Sequence, residues 1–219
     1  MPVNEGEHPK ATTVTPKYNS ASGFATSEEI SSLYQRMNLA EAGLSKNAFE
    51  KACKGYNNLI ARKVIDSAGL FTICDFSQSS KNKRLYLIDM HSHEVVLNTY
   101  VAHGKNSGNE YANRFSNRPE SRQSSLGFYI TNNTYFGEHG LSLRITGLEP
   151  GFNDRALRRA IVVHGASYIG EGSIGRSYGC PAVPKEESAR LINTIKNGTC
   201  LFIYHPSNYY LKGSKLLND

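Results

Sequence analysis

From Leu70 onward the sequence falls into short apolar runs rich in β-branched and aromatic residues, each closed by a polar turn. LFTICDF is followed by SQSSKNK, RLYLIDM by HSH, and EVVLNTYVAHG by a Gly- and Asn-containing stretch. SSLGFYITNNTYF, LSLRITG, AIVVHGAS and TCLFIYHP continue the series. Runs this short and this rich in Val, Ile, Tyr and Phe suit pleated strands better than helices. The chain is thereby committed to a sheet-based domain.

The residues before Leu70 follow a different period. Ser27 with Glu28 and Glu29 marks a helix start, and Ile30, Leu33, Tyr34 and Met37 share one face. Gly43 breaks that helix and Ser45 opens another, in which Phe49, Ala52, Cys53, Tyr56, Leu59, Ile60 and Val64 recur at helical spacing. Late in the chain, PKEESARLINTIKNG has acids first and Gly198 as its stop, which predicts one more helix. The expected organisation is a flexible polar tail over 1–26, a helical segment over 27–67 packed on the main domain, and a mainly β domain over 68–219.

Several function classes lose support at this level. The net charge of +6 favours anionic partners, but Lys and Arg are scattered, with no run that could track a phosphate backbone. Nucleic-acid motifs are missing, so no nucleic-acid partner is expected. No apolar run approaches the ~18 residues of a membrane span. The N-terminal MPVNEGEHPKATTVTPKYNSASG is polar, so export would need a leader that these residues do not contain. Cys53, Cys74, Cys180 and Cys200 fit no paired zinc spacing. Cys74 and Cys200 sit in strand-like runs and are expected as buried thiols, whereas Cys53 could be buried or paired. His91 and His93 flank Ser92 in a probable hairpin turn, and no metal site is expected there. No glycine loop suited to phosphates follows a strand, so no cofactor is expected. Tyr209 and Tyr210 read as a packing or surface pair.

The segment VHGASYIGEGSIGRSYGCPAVP, residues 163–184, concentrates the reactive side chains. His164 closes the apolar run AIVV, where a ring can project from a rigid strand end. Cys180 follows between Gly179 and Pro181. Gly179 permits close approach of a carbonyl carbon and leaves backbone N–H groups to face a developing oxyanion, and Pro181 fixes the chain beyond. Gly165 leaves its carbonyl open to orient the imidazole, and Gly170, Gly172 and Gly175 suit a flap. Residue pattern alone leaves two readings open: a glycine loop carrying an incidental Cys, or a thiol site. His103 and His139 each stand beside a turn, where either lines a cleft or caps a strand; for His103 the cleft is expected.

This segment resembles the L,D-transpeptidases of the YkuD type, in His164-Gly165 and in Ser177-Tyr178-Gly179-Cys180. It is most similar to the murein L,D-transpeptidase catalytic-domain branch, where an aromatic residue precedes Gly-Cys and Pro-Ala follows. TYVAHGKNSG, RFSNRPESRQSSLGFY, HGLSLRITGLEPGFNDRALRRAIVVHGA and GTCLFIY extend the likeness over roughly residues 71–204. The resemblance implies an α+β fold: a mainly β, YkuD-like β-sandwich with N-terminal helices and one helix after the Cys. It implies Cys180 as nucleophile, His164 as base and the Gly165 carbonyl as the orienting third member. Backbone N–H groups of Tyr178, Gly179 and Cys180 would form the oxyanion hole. Ser177 would shape the loop, and Ser125 and Gly127 would flank the substrate groove. Two positions depart from the wider family: Tyr178 stands where a second His is usual, and Pro181-Ala182 replaces an aliphatic residue followed by Arg or Asn. A substrate carboxylate must then be met elsewhere, with Arg176, Arg122 and Arg144 as candidates.

The activity implied is acyl transfer on peptidoglycan stem peptides, with a tetrapeptide donor and an amine acceptor, in the periplasm or cell envelope. Resolution of the same acyl-enzyme by water or a free amino acid is the alternative, giving carboxypeptidase or exchange activity. A catalytically silent wall-binding module is the rival from another class.

Overall fold

The computed structural model describes residues 26–65, 69–170 and 176–219. The tail expected over 1–26, apart from Thr26, and the flap glycines Gly172 and Gly175 lie outside them.

Two helices open the chain, α1 (Ser27–Arg36) and α2 (Lys46–Ala61). Thr26 caps α1 with a reciprocal capping box to Glu29, and the Ser45 hydroxyl accepts the Ala48 N–H at the start of α2. The apolar face of α2, Phe49, Ala52, Cys53, Tyr56 and Leu59, is buried in the same core as the sheet. Gly55 flattens that helix where the Phe128 ring rests; a Cβ there would lie 2.1 Å from the ring. Phe128 in turn stacks on Phe202 at 4.0 Å between centroids. Tyr56 stacks on Phe71 at 4.7 Å, so helix and sheet are tied by aromatic contacts.

The strands are β1 (Leu70–Asp75), β2 (Leu85–Asp89), β3 (Glu94–Thr99), β4 (His103–Gly104), β5 (Gly127–Gly137), β6 (Gly140–Gly147), β7 (Val162–Ala166), β8 (Arg176–Ser177), β9 (Ala182–Pro184) and β10 (Cys200–Tyr204). Three helices follow Cys180: α3 (Lys185–Ile195), α4 (Asn208–Gly213) and α5 (Lys215–Asn218). The sequence predicts α3 alone, because the short C-terminal pair has no apolar period of its own and is fixed by packing. Tyr210 in α4 is fully buried, while its neighbour Tyr209 is exposed.

One eight-stranded sheet runs in the order β3-β2-β1-β10-β5-β6-β7-β9. The β1–β10 and β7–β9 pairs are parallel, and the rest are antiparallel. Its two edges do not diverge. Only three residues after β3 ends, Ala102 donates its N–H to the Ala182 carbonyl of β9 at 2.8 Å. The Thr99 hydroxyl at the end of β3 bonds the Glu187 carboxylate of α3. The sheet therefore rolls back on itself into the layers of a mainly β sandwich, with helices at its start and end. A small parallel pair, β4 with β8, lies beside the β9 edge and carries the loop that contains Cys180.

Candidate active site

His164 lies on β7, in register with Ser142 of β6 on one side and Ala182 of β9 on the other. The run AIVV supplies the buried strand and leaves His164 only 3% exposed. Its Nδ1 lies 3.0 Å from the Gly165 carbonyl. A carbonyl only accepts, so Nδ1 carries the proton and Nε2 keeps its lone pair. Burial holds the imidazole below its usual pKa; the Gly165 carbonyl opposes this, and the adjacent His139 adds to it. His139, in the β5–β6 turn, stacks on His164 at 4.1 Å between centroids.

Cys180 precedes β9. Carrying the β7–β9 register back by two residues sets it beside Val162, whose N–H acts to lower the thiol's pKa. His164 follows Val162 by two residues, so Cys180 lies just off β9, along the flank of the strand that carries His164. Strand spacing and rise place such positions about 8 Å apart at Cα. The thiol donates to the Ala160 carbonyl at 3.7 Å. Burial raises its pKa, against the lowering effects of the Val162 N–H and the Arg159 guanidinium. Both shifts favour neutral partners, thiol and imidazole, over a preformed ion pair.

The loop before the Cys is shaped from within. The Ser177 hydroxyl accepts the Gly179 N–H at 3.1 Å and donates to the Cys180 carbonyl at 2.5 Å. Gly179 has φ of +125°, and a Cβ there would sit 2.8 Å from the Gln123 carbonyl oxygen. Of the three N–H groups expected to form the oxyanion hole, that of Gly179 is thus already engaged. Those of Tyr178 and Cys180 meet no acceptor among the described residues.

The residues expected along the substrate groove have other surroundings. His103 is fully buried: its Nδ1 accepts from the buried Arg84 at 2.8 Å, and its Nε2 faces the Gly108 carbonyl at 3.4 Å. Both nitrogens are committed, so the ring is a structural strut and not a cleft wall. The Ser125 hydroxyl is likewise buried, between Arg159 Nη1 at 3.0 Å and the Tyr129 hydroxyl at 3.1 Å. Gly127 faces the interior, where a Cβ would strike the Glu149 carboxylate. The Ser177 hydroxyl is spent within its loop. Arg176 is exposed and bonds the Asn109 side chain at 3.0 Å. Arg144 lies over the Tyr135 ring at 4.1 Å.

Arg159 was not singled out by sequence, yet it organises the site. Its Nη1 donates to the Ser116 carbonyl and the Ser125 hydroxyl; its Nη2 donates to the Ser121 hydroxyl and, at 2.6 Å, to the Gln123 carbonyl. It thereby clamps the 116–125 segment against the Gly179 turn and sets a cation beside the sulfur. In RALRRAIVV nothing separates Arg159 from Arg158 until the fold is known. Among the described residues, no cluster of His, Cys, Asp or Glu could hold a metal ion. No described helix is long and apolar enough to cross a membrane.

A His on β7 and a Cys just ahead of β9, at one edge of a rolled sheet, describe a scaffold on which a thiol and a base can share a reacting carbonyl. Residues 40–204 match the L,D-transpeptidase catalytic domain family (YkuD_2), well over half of the chain, and the protein belongs to that family. Solved structures give a distant likeness. An L,D-transpeptidase from Mycobacterium smegmatis is 14% identical over 63% of this chain and 59% of its own, with a TM-score of 0.41. One from Xylanimonas cellulosilytica is 17% identical over 90% of this chain and 100% of its own, with a TM-score of 0.40. L,D-transpeptidase 3 from Mycobacterium tuberculosis is 14% identical over 63% and 61%, with a TM-score of 0.41. The chain thus spans about three fifths of the mycobacterial chains it resembles. No curated protein matches it significantly.

Proposed function

We propose that the protein is a cysteine acyltransferase of the cell envelope that acts on peptidoglycan stem peptides, with Cys180 as nucleophile, His164 as base and residues 68–219 as its catalytic domain. The observation that carries this reading is the placement of Cys180 two residues before Ala182, the register partner of His164, whose Nε2 keeps its lone pair by virtue of the Nδ1–Gly165 bond.

In the first step Nε2 takes the thiol proton as sulfur attacks the carbonyl carbon preceding a terminal D-residue. The oxyanion forms against the Tyr178 and Cys180 N–H groups. Collapse breaks the carbon–nitrogen bond, and His164 returns the proton to the departing amine, leaving a thioester. In the second step His164 deprotonates an acceptor amine, which attacks the thioester and releases the thiol. A neutral resting pair suits this sequence, since the proton moves with each attack. The net positive charge suits a carboxylate-rich substrate.

Incubation with disaccharide tetrapeptide, analysed by mass spectrometry beside Cys180→Ala, tests the proposal. Crosslinked dimers and a Cys180-bound intermediate are expected from wild type only. Tripeptide without dimers would assign hydrolysis or exchange to the same acyl-enzyme. No product and no carbapenem adduct on a folded protein would leave a silent binding module.

A further inference from the structure

Tyr178, in the position where the resemblance leads one to expect His, is 67% exposed and is not alone. Lys105 Nζ lies over its ring at 4.6 Å from the centroid, and the Arg122 guanidinium carbon at 4.9 Å. Both cations arise from backbone laced directly to the Cys180 loop. The Lys105 N–H donates to the Ser177 carbonyl at 2.7 Å, and the Asn106 N–H to the Arg122 carbonyl at 3.1 Å. The Ser124 hydroxyl accepts the Gly104 N–H at 3.0 Å and reaches the Gly179 carbonyl at 3.4 Å. Gly104 makes this lacing possible, because a Cβ there would lie 2.5 Å from the Arg122 carbonyl oxygen. The two charges therefore start from fixed points beside the nucleophile.

Neither charge is paired with a carboxylate among the described residues. The ion pairs among the described residues are Lys46–Glu50, Arg62–Asp219 and Lys81–Glu110. Two cations gathered on one exposed ring repel each other, and a cation–π contact at an exposed site offsets that only weakly. An anion placed between them removes the repulsion and gains a charge-assisted bond from each. The phenol hydroxyl adds a third donor.

We propose that Lys105, Arg122 and Tyr178 form a carboxylate-receiving subsite for the terminal carboxylate of the donor's leaving D-residue; this rests on the stem-peptide reading above. That carboxyl carbon lies three bonds from the scissile carbonyl carbon, so it cannot stray more than about 4 Å from it. A donor with its carbonyl at Cys180 thus keeps its carboxylate close to that residue, and Tyr178 with its two cations stands just before it in the same loop. Pro181 and Ala182, which follow the nucleophile, offer no charge to meet it.

The test compares a stem tetrapeptide carrying a free terminal carboxylate with the same peptide amidated there, in wild type, Lys105→Met, Arg122→Met and the double variant. Wild type is expected to favour the free acid in kcat/KM, each single variant to lose roughly tenfold of that preference, and the double variant nearly all of it. Binding of the two peptides to Cys180→Ala, with and without the same substitutions, should follow the same order without turnover. Equal preference in wild type and in a double variant that keeps its melting temperature would overturn the subsite while leaving the acyltransferase reading intact. Failure of wild type to bind or turn over either peptide would overturn the stem-peptide reading, and the subsite with it.

Discussion

Gly179→Ala separates backbone strain from loss of site geometry, because a second glycine supplies the control. Gly179 has φ of +125°, and Gly198, far along the chain at the end of the α3 turn, has φ of +108°. An L-residue in this region costs about 1–3 kcal/mol. At Gly198 nothing lies within 4 Å of the added Cβ, so that strain is the whole effect. For a domain of this size it lowers the melting temperature by roughly 2–12 °C. At Gly179 the Cβ also comes within 2.8 Å of the Gln123 carbonyl oxygen and 3.1 Å of Ile161 Cδ1. Backbone on one side and a packed side chain on the other leave the loop itself to move. The Gln123 carbonyl is held by Arg159 at 2.6 Å, so the displacement passes to Tyr178 and Cys180, whose N–H groups face the proposed oxyanion. Misplacing such donors costs on the order of a hundredfold in rate. Calorimetry together with the second-order rate of Cys180 acylation by a carbapenem reads both effects. Gly198→Ala should melt lower and acylate at the wild-type rate, and Gly179→Ala should do both worse. A Gly179→Ala protein that acylates as fast as Gly198→Ala would refute the assignment of this turn to the oxyanion site.

Two further outcomes follow from the electrostatics. His103, depressed from 6.5 to about 4 chiefly by burial and then by Arg84, is neutral when folded and binds a proton more readily when unfolded. Its contribution, up to about 3 kcal/mol, is present above pH 6.5 and is lost as the pH falls toward 4. Urea midpoints should therefore drop from pH 7 to pH 5, and His103→Gln, with no titrating ring, should flatten that slope; an unchanged slope would exclude His103 as its source. Arg159 lowers the pKa of the Cys180 thiol, so Arg159→Met should move the pH profile of Cys180 alkylation by iodoacetamide to higher pH, with Arg159→Lys recovering part of the shift. A profile that does not move would show that the guanidinium acts on the loop alone.

Strand runs were legible from their short length and their β-branched and aromatic content, and both N-terminal helices and the helix after the Cys from helical spacing and end signals. Ser45 caps α2 as read, whereas α1 ends at Arg36, well before the Gly43 expected to break it. His164 and Cys180 could be considered together because one short segment carries both, but residue pattern alone left two readings open and the resemblance made the proposal. The supporting shell was not legible, because it is assembled from positions distant in sequence. Arg159, Ser125, Gln123 and Lys105 meet the Cys180 loop only through the roll of the sheet, and no periodicity announces that meeting. The same limit explains His103 and Ser125. A His or Ser next to a glycine turn looks identical in sequence whether it faces a groove or an arginine, and here Arg84 and Arg159 face them.

The position of β10 bears on how the molecule is made. This strand, made after every other strand of the sheet, inserts between β1 and β5, pairing Phe71 with Cys200 in parallel and Phe202 with Phe128 on the other side. Until it arrives, both neighbours present unpaired apolar edges, which are open templates for intermolecular pairing. A nascent or truncated chain that ends before Cys200 already holds His164 and Cys180, yet lacks the strand that joins the two halves of the sheet. Competence to react at Cys180 should therefore report completion of the sheet, and termination before Cys200 should yield aggregates and not a soluble, weakly reactive protein.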